Sequence, residues 1–342
     1  MFLASGKTRR IVSVSANTLS SMTFLSPAFK KIGFPLIAAG VTIIAWASAF
    51  VALRHLSADV SAGALSLGRM GSAALSLTVI VLVWQRFSSP SSQRSLLPRR
   101  EYWPRLLLSA ATWFAFYHLA LNQAVHYIDA GTASLLINTG PILIALMAGV
   151  LLGEGFPKYL LIGLGVAFFG VGVIAVANSE GVDASLLGIF LCVGAAMLWA
   201  IGAVSQKPLL DKGASALHVT WWACSIGALI CLPFAPALAS ELNNAGMSTL
   251  WWVVYLGLIP TALGFTTWSF AITRLGAGNL AVSIYLVPPT VILMAWALID
   301  EVPPLLALGG GALCLVGVAI SRYRPAAKPT SEEPRLVPAQ KY

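Results

Sequence analysis

The chain has 342 residues, 58% of them hydrophobic and 10% charged, with a mean hydropathy of +0.84 and a formal net charge of +9. Such a composition excludes an ordinary soluble domain and defines a polytopic membrane protein. It also excludes a nucleic-acid binder, because the Lys and Arg residues sit between apolar runs and not on one face or in one domain.

Residues 1–33 carry Lys7, Arg9 and Arg10 without an apolar core long enough for a secretory signal, so no cleaved leader is expected and the segment reads as cytoplasmic. Met22 is a second candidate start. Ten apolar runs follow, at about 34–53, 63–84, 105–124, 131–152, 158–177, 186–205, 216–236, 249–271, 278–299 and 304–321. Pro157 and Pro304 stand just at the start of the fifth and tenth runs, where a missing N–H is harmless to a helix. Residues 323–342, rich in Pro, Lys and Glu, are predicted to be a disordered cytoplasmic tail.

Of the 21 Lys and Arg residues, an even span count puts 19 on one side, leaves Arg54 alone on the other and buries Arg69 within the second span. By the positive-inside rule both termini are then cytoplasmic, in the cell (inner or plasma) membrane. Nine or eleven spans would scramble that partition.

The chain also contains itself twice. GTASLLINTGPILIALMAGVLLGE, Gly131 to Glu154, returns 147 positions later as GNLAVSIYLVPPTVILMAWALIDE, Gly278 to Glu301. Eight of the 24 positions are identical, where about two would be expected by composition. At the same offset Gly163 and Gly170 match Gly310 and Gly317, and at an offset of 153 Trp46-Ala47 matches Trp199-Ala200. The halves are residues 34–179 and 186–322, five spans each. Because five is odd, the second half enters the membrane from the opposite side. The fold expected is therefore an all-α integral membrane protein, ten transmembrane helices arranged as two inverted five-helix repeats.

These residues resemble the EamA-type transporters of the drug/metabolite transporter superfamily. The resemblance rests on the two motif copies, the Gly-rich spans that follow them, the two Trp-Ala pairs and Arg69, and it covers nearly all of 34–322. Asp300 before the final acid and the doubled proline at Pro289 depart from the family pattern. The resemblance implies a secondary transporter, an exporter of small organic metabolites such as amino acids or amphipathic compounds. It also implies alternating access across a central cavity built from the third, fourth, eighth and ninth spans.

Candidate solute contacts are Arg69, Trp113, Tyr117, His118, Asn138, Trp268 and Tyr285. Pro141 and Pro288 remove a donor in mid-helix and expose carbonyls that a polar cavity or a packed neighbour can satisfy, which makes them candidate hinges. Asn138 and Tyr285 precede them at equivalent positions. Trp113 and Tyr117, four apart, share a face on which a solute could stack; a packing role is the alternative. His118 lies on a neighbouring face with Asn122. Arg69 lies about 9 Å from the outer end of its span, where facing lipid costs at least about 2.5 kcal/mol. It could snorkel outward, clamp helix-end carbonyls or meet a solute carboxylate.

No catalytic or metal constellation is present, so neither an enzyme nor a cofactor is expected: the four cysteines lie in apolar runs without CxxC spacing, and no His, Asp or Glu cluster is visible. A non-transporting receptor or assembly module remains the alternative. The paired glycines, seven apart, mark close helix approach within the chain or in a homodimer. The partners implied are a small-molecule solute and the lipid bilayer.

Overall fold

The computed structural model describes residues 27–87, 98–151, 155–177, 182–275 and 283–321. The first 26 residues, the tail from 322, Glu154 and Gly278 lie outside the described residues. Within them the chain is helical throughout, with no strand.

In order, the helices are α1 (Pro27–Leu56), α2 (Ala62–Phe87), α3 (Trp103–Ser109), α4 (Tyr117–Ala124), α5 (Ala130–Ile137), α6 (Gly140–Leu151), α7 (Lys158–Ala177), α8 (Val182–Asp211), α9 (Ala216–Ile230), α10 (Ala235–Ala245), α11 (Met247–Leu256), α12 (Gly264–Leu275), α13 (Val287–Ile299) and α14 (Leu305–Ser321). Six helical stretches among the described residues are long and apolar enough to cross a bilayer. A seventh is added if α9 and the helix after it, bent by 52°, are taken as one span. Large apolar side chains such as Leu75, Phe169, Phe190 and Leu305 stand exposed, which suits contact with lipid.

Two π-helical turns interrupt the helices, Ala110–Phe116 between α3 and α4 and Gly257–Leu263 between α11 and α12. Both bounds differ by the repeat offset of 147. In the second the cause is local. Pro260 has no N–H to give the Leu256 carbonyl, and the Thr261 hydroxyl donates to that carbonyl instead, at 2.9 Å.

The motif prolines also differ in setting from the sequence expectation. Each stands in the first turn of a new helix, Pro141 second in α6 and Pro288 second in α13, and the breaks fall just before them. Asn138 caps α5, and Ile284–Leu286 form a 3-10 turn that carries Tyr285. A first-turn N–H has no intrahelical partner, so proline there gives up nothing.

The closest helix pair is α7 with α14. Gly163 packs on the Gly317 carbonyl, while a Cβ at Gly170 would lie 2.5 Å from the Gly310 oxygen and one at Gly310 would lie 2.7 Å from the Gly170 oxygen. Rising numbers on one helix meet falling numbers on the other, so the two run antiparallel. At the crossing Cys314 Sγ donates to the carbonyl of Ala167, its repeat equivalent, at 3.3 Å. Only glycine lets two backbones approach so closely.

Candidate functional site: a tryptophan-walled cavity

A cavity of about 80 Å³, enough for several waters or part of a small solute, is lined from both helix breaks and the first π-turn, with Phe265 just beyond the second. Helix α1 contributes Trp46, Ala49, Phe50 and Leu53; α2 contributes Arg69; the remainder of the wall includes Trp113, Tyr117, His118, Asn138, Trp199 and Phe265. The first, second and sixth spans thus join the four that the family resemblance implied.

Five of the seven expected contacts meet here: Arg69, Trp113, Tyr117, His118 and Asn138. Two stand back from it. Trp268 tilts against Trp46 with ring centroids 5.2 Å apart, and Tyr285 is half-buried between the lining residues Ile284 and Val287. The π-turn explains why His118 joins Trp113 and Tyr117: a wider turn brings residues five apart onto one face, where the 3.6-residue period separates them.

Arg69 is 6% exposed and does not snorkel. Its Nε donates to Thr261 Oγ1 at 3.0 Å, and its two terminal nitrogens make no hydrogen bond among the described residues. The guanidinium is thus held by the same hydroxyl that closes the second π-turn. Asn138 Nδ2 donates to the Ser134 carbonyl at 3.2 Å, while Oδ1, buried, has no partner among the described residues. His118 Nδ1 lies 3.2 Å from the Phe114 carbonyl; a carbonyl only accepts, so that nitrogen carries the hydrogen. Asn122 instead ties α4 to α2 through Ser66, at 2.8 Å.

The aromatic wall is continuous. Trp113 packs edge-on to Phe265 at 5.5 Å and lies 6.3 Å from Trp199, while Trp46 packs edge-on to Phe265 at 5.8 Å and donates through Nε1 to the Pro260 carbonyl at 3.1 Å. Trp46, Trp199, Phe50 and Phe265 were not singled out as contacts from sequence. The duplicated Trp-Ala pair was the available signal for the first two.

The residues thus meet as a buried guanidinium in an aromatic-walled cavity of a helical membrane protein. The sequence matches the EamA-like transporter family twice, over residues 33–176 and 186–323, and the chain belongs to that family. Relatives include a probable terminal-alkyne amino-acid exporter of Streptantibioticus cattleyicolor, 35% identical over 83% of this chain and 92% of its own length. An uncharacterized transporter of Bacillus subtilis, YdfC, is 32% identical over 84% of this chain and 90% of its own. A probable amino-acid metabolite efflux pump of Escherichia coli is 26% identical over 63% and 75%. A solved crystal structure shares the fold with a TM-score of 0.59, at 20% identity, over 85% of this chain and 96% of its own. The family and its named relatives are transporters and not enzymes.

Proposed function

We propose that the protein is a secondary transporter that exports small organic metabolites, amino acids with apolar side chains among them, by alternating access across the cavity. The observation that carries the substrate side is Arg69. A buried cation whose forked nitrogens lack an acceptor among the described residues suits a carboxylate, Asn138 Oδ1 suits an ammonium donor, and the indole walls suit an apolar side chain. Trp268 and Tyr285 then support the wall from behind, and the breaks before Pro141 and Pro288 are the hinges.

The architecture proposed is ten transmembrane helices as two inverted repeats, with both termini cytoplasmic. It is supported by the π-turns and helix breaks recurring at the 147 offset, by the antiparallel α7–α14 pair, and by the 19-to-1 division of basic residues. Cysteines placed at Asp59 and Lys212 are expected to react with an impermeant maleimide from outside and from the cytoplasm respectively. Reaction of both from one side would refute the arrangement.

The test of function is counterflow in proteoliposomes with a terminal-alkyne amino acid such as propargylglycine, and with phenylalanine. Protein-dependent exchange is expected. Absence of flux for every zwitterionic amino acid, with the protein folded, would favour a non-transporting receptor.

A further inference from the structure

The connections at one end of the bundle hold a cluster that the cavity does not use. Arg54, the single basic residue assigned to the outer side, follows directly on the lining residue Leu53. Its Nε donates to Glu301 Oε1 at 2.7 Å and its Nη1 to the Val125 carbonyl at 2.8 Å. The other carboxylate oxygen, Oε2, accepts from the Ala130 N–H at 3.1 Å, in the first turn of α5. Three connections are thereby joined: the end of α1, the turn between α4 and α5, and the chain just after α13.

The local backbone explains how Glu301 reaches there. Asp300 ends α13 in the left-handed conformation, with φ 53°, and the Glu301 N–H turns back to the Ala295 carbonyl at 3.3 Å. Asp tolerates that conformation better than a branched or bulky residue, which gives the family-atypical Asp300 a physical role. The other titratable groups facing the pair are His55, His126 and Asp129. Burial, and then Arg54, hold the His126 imidazole below its usual range. Burial, and to a lesser degree Glu301, push the Asp129 carboxyl up, while its Oδ1 caps Thr132 N at 2.7 Å. His55 packs near Trp252, with centroids 5.5 Å apart.

Beyond the pair the surface opens into a recess lined by Arg54, His55, Ser57, His126 and Glu301. The pair therefore lines that recess, and Arg54 stands one residue along α1 from Leu53 of the inner cavity wall. It is partly wet, the two side chains being 32% and 20% exposed, and ion pairs of that kind form and break readily.

We propose that Arg54 and Glu301 are the gate of the cavity at this end, closed in this structure and opened when the pair separates. The sequence repeats the charge types: at offsets 153 and 147, Arg54 corresponds to Lys207 and Glu301 to Glu154, though Glu154 lies outside the described residues. The gate rests on the transport reading above, and labelling tests it without a solute.

In the full-length chain Ala49→Cys places a thiol in the cavity wall, while the four native cysteines are buried. An impermeant maleimide is applied from either face of proteoliposomes. Glu301→Gln, which keeps the shape and the Ala130 contact, and Arg54→Gln are each expected to raise labelling of the introduced thiol about tenfold from the face bearing residues 55–59. Arg54→Lys, which keeps the charge, is expected to raise it less. Rates equal to the parent in both Gln variants would overturn the gate. So would equal acceleration at the native cysteines in the chain lacking Ala49→Cys, since that reports general loosening.

Discussion

Replacing Arg69 by Gln is expected to lower flux of a carboxylate solute about a hundredfold while leaving the melting temperature in detergent unchanged or slightly raised. The two halves of that result follow from one geometry. A charge-assisted bond to a carboxylate contributes up to about 3 kcal/mol, and each 1.36 kcal/mol is a factor of ten. The described residues offer Arg69 a hydroxyl and no carboxylate, so removing its charge leaves no orphaned partner and relieves the cost of burying a cation. Gln can still meet Thr261. An Arg69 that served only as a clamp would give the opposite signature, a lowered melting temperature with acids and esters depressed alike.

Arg69→Lys separates charge from fork. It is expected to lose about tenfold on acids and far less on the methyl esters, because an ammonium is a point charge without the planar pair of donors. Thr261 enters the same test. Thr261→Val removes the hydroxyl that aims the guanidinium and satisfies Leu256, and should raise KM for the acid, while Thr261→Ser restores it. Equal loss for Val and Ser would mean that shape and not hydrogen bonding matters there.

Gly170→Val is expected to have the largest effect on stability. The new Cβ would lie 2.5 Å from the Gly310 carbonyl oxygen and 2.8 Å from the Cys314 nitrogen, both backbone atoms that cannot swing aside. Helices α7 and α14 must then separate, costing about 1–3 kcal/mol or more for overpacking together with the lost contacts along the crossing. A lower melting temperature and reduced membrane abundance should follow. Gly172→Val is the matched control, since its Cβ would meet nothing within 4 Å and it carries the same helix-propensity change. Equal behaviour of the two variants would show that the Gly163, Gly170, Gly310 and Gly317 crossing does not hold the bundle together.

The sequence alone determined that this is a membrane protein, that it is built of two copies, and where its apolar runs fall. Those properties are local: span length is set by bilayer thickness, and duplication is visible as identity at a fixed offset. It also made Arg69 conspicuous, because a cation amid apolar residues needs a reason. The tertiary structure decided what local chemistry leaves open. An apolar side chain facing lipid and one facing a cavity look the same in composition, so Phe50, Phe265 and the two tryptophans could not be told from packing residues until α1, α8 and α12 converged. The breaks shifted to just before Pro141 and Pro288, and His118 came round to the cavity, because π and 3-10 turns change the register on which face-counting depends. Thr261 is 192 positions from Arg69, and Glu301 is 247 from Arg54. Which distant hydroxyl or carboxylate meets a given guanidinium is settled by how the helices pack, and spacing along the chain carries no record of it.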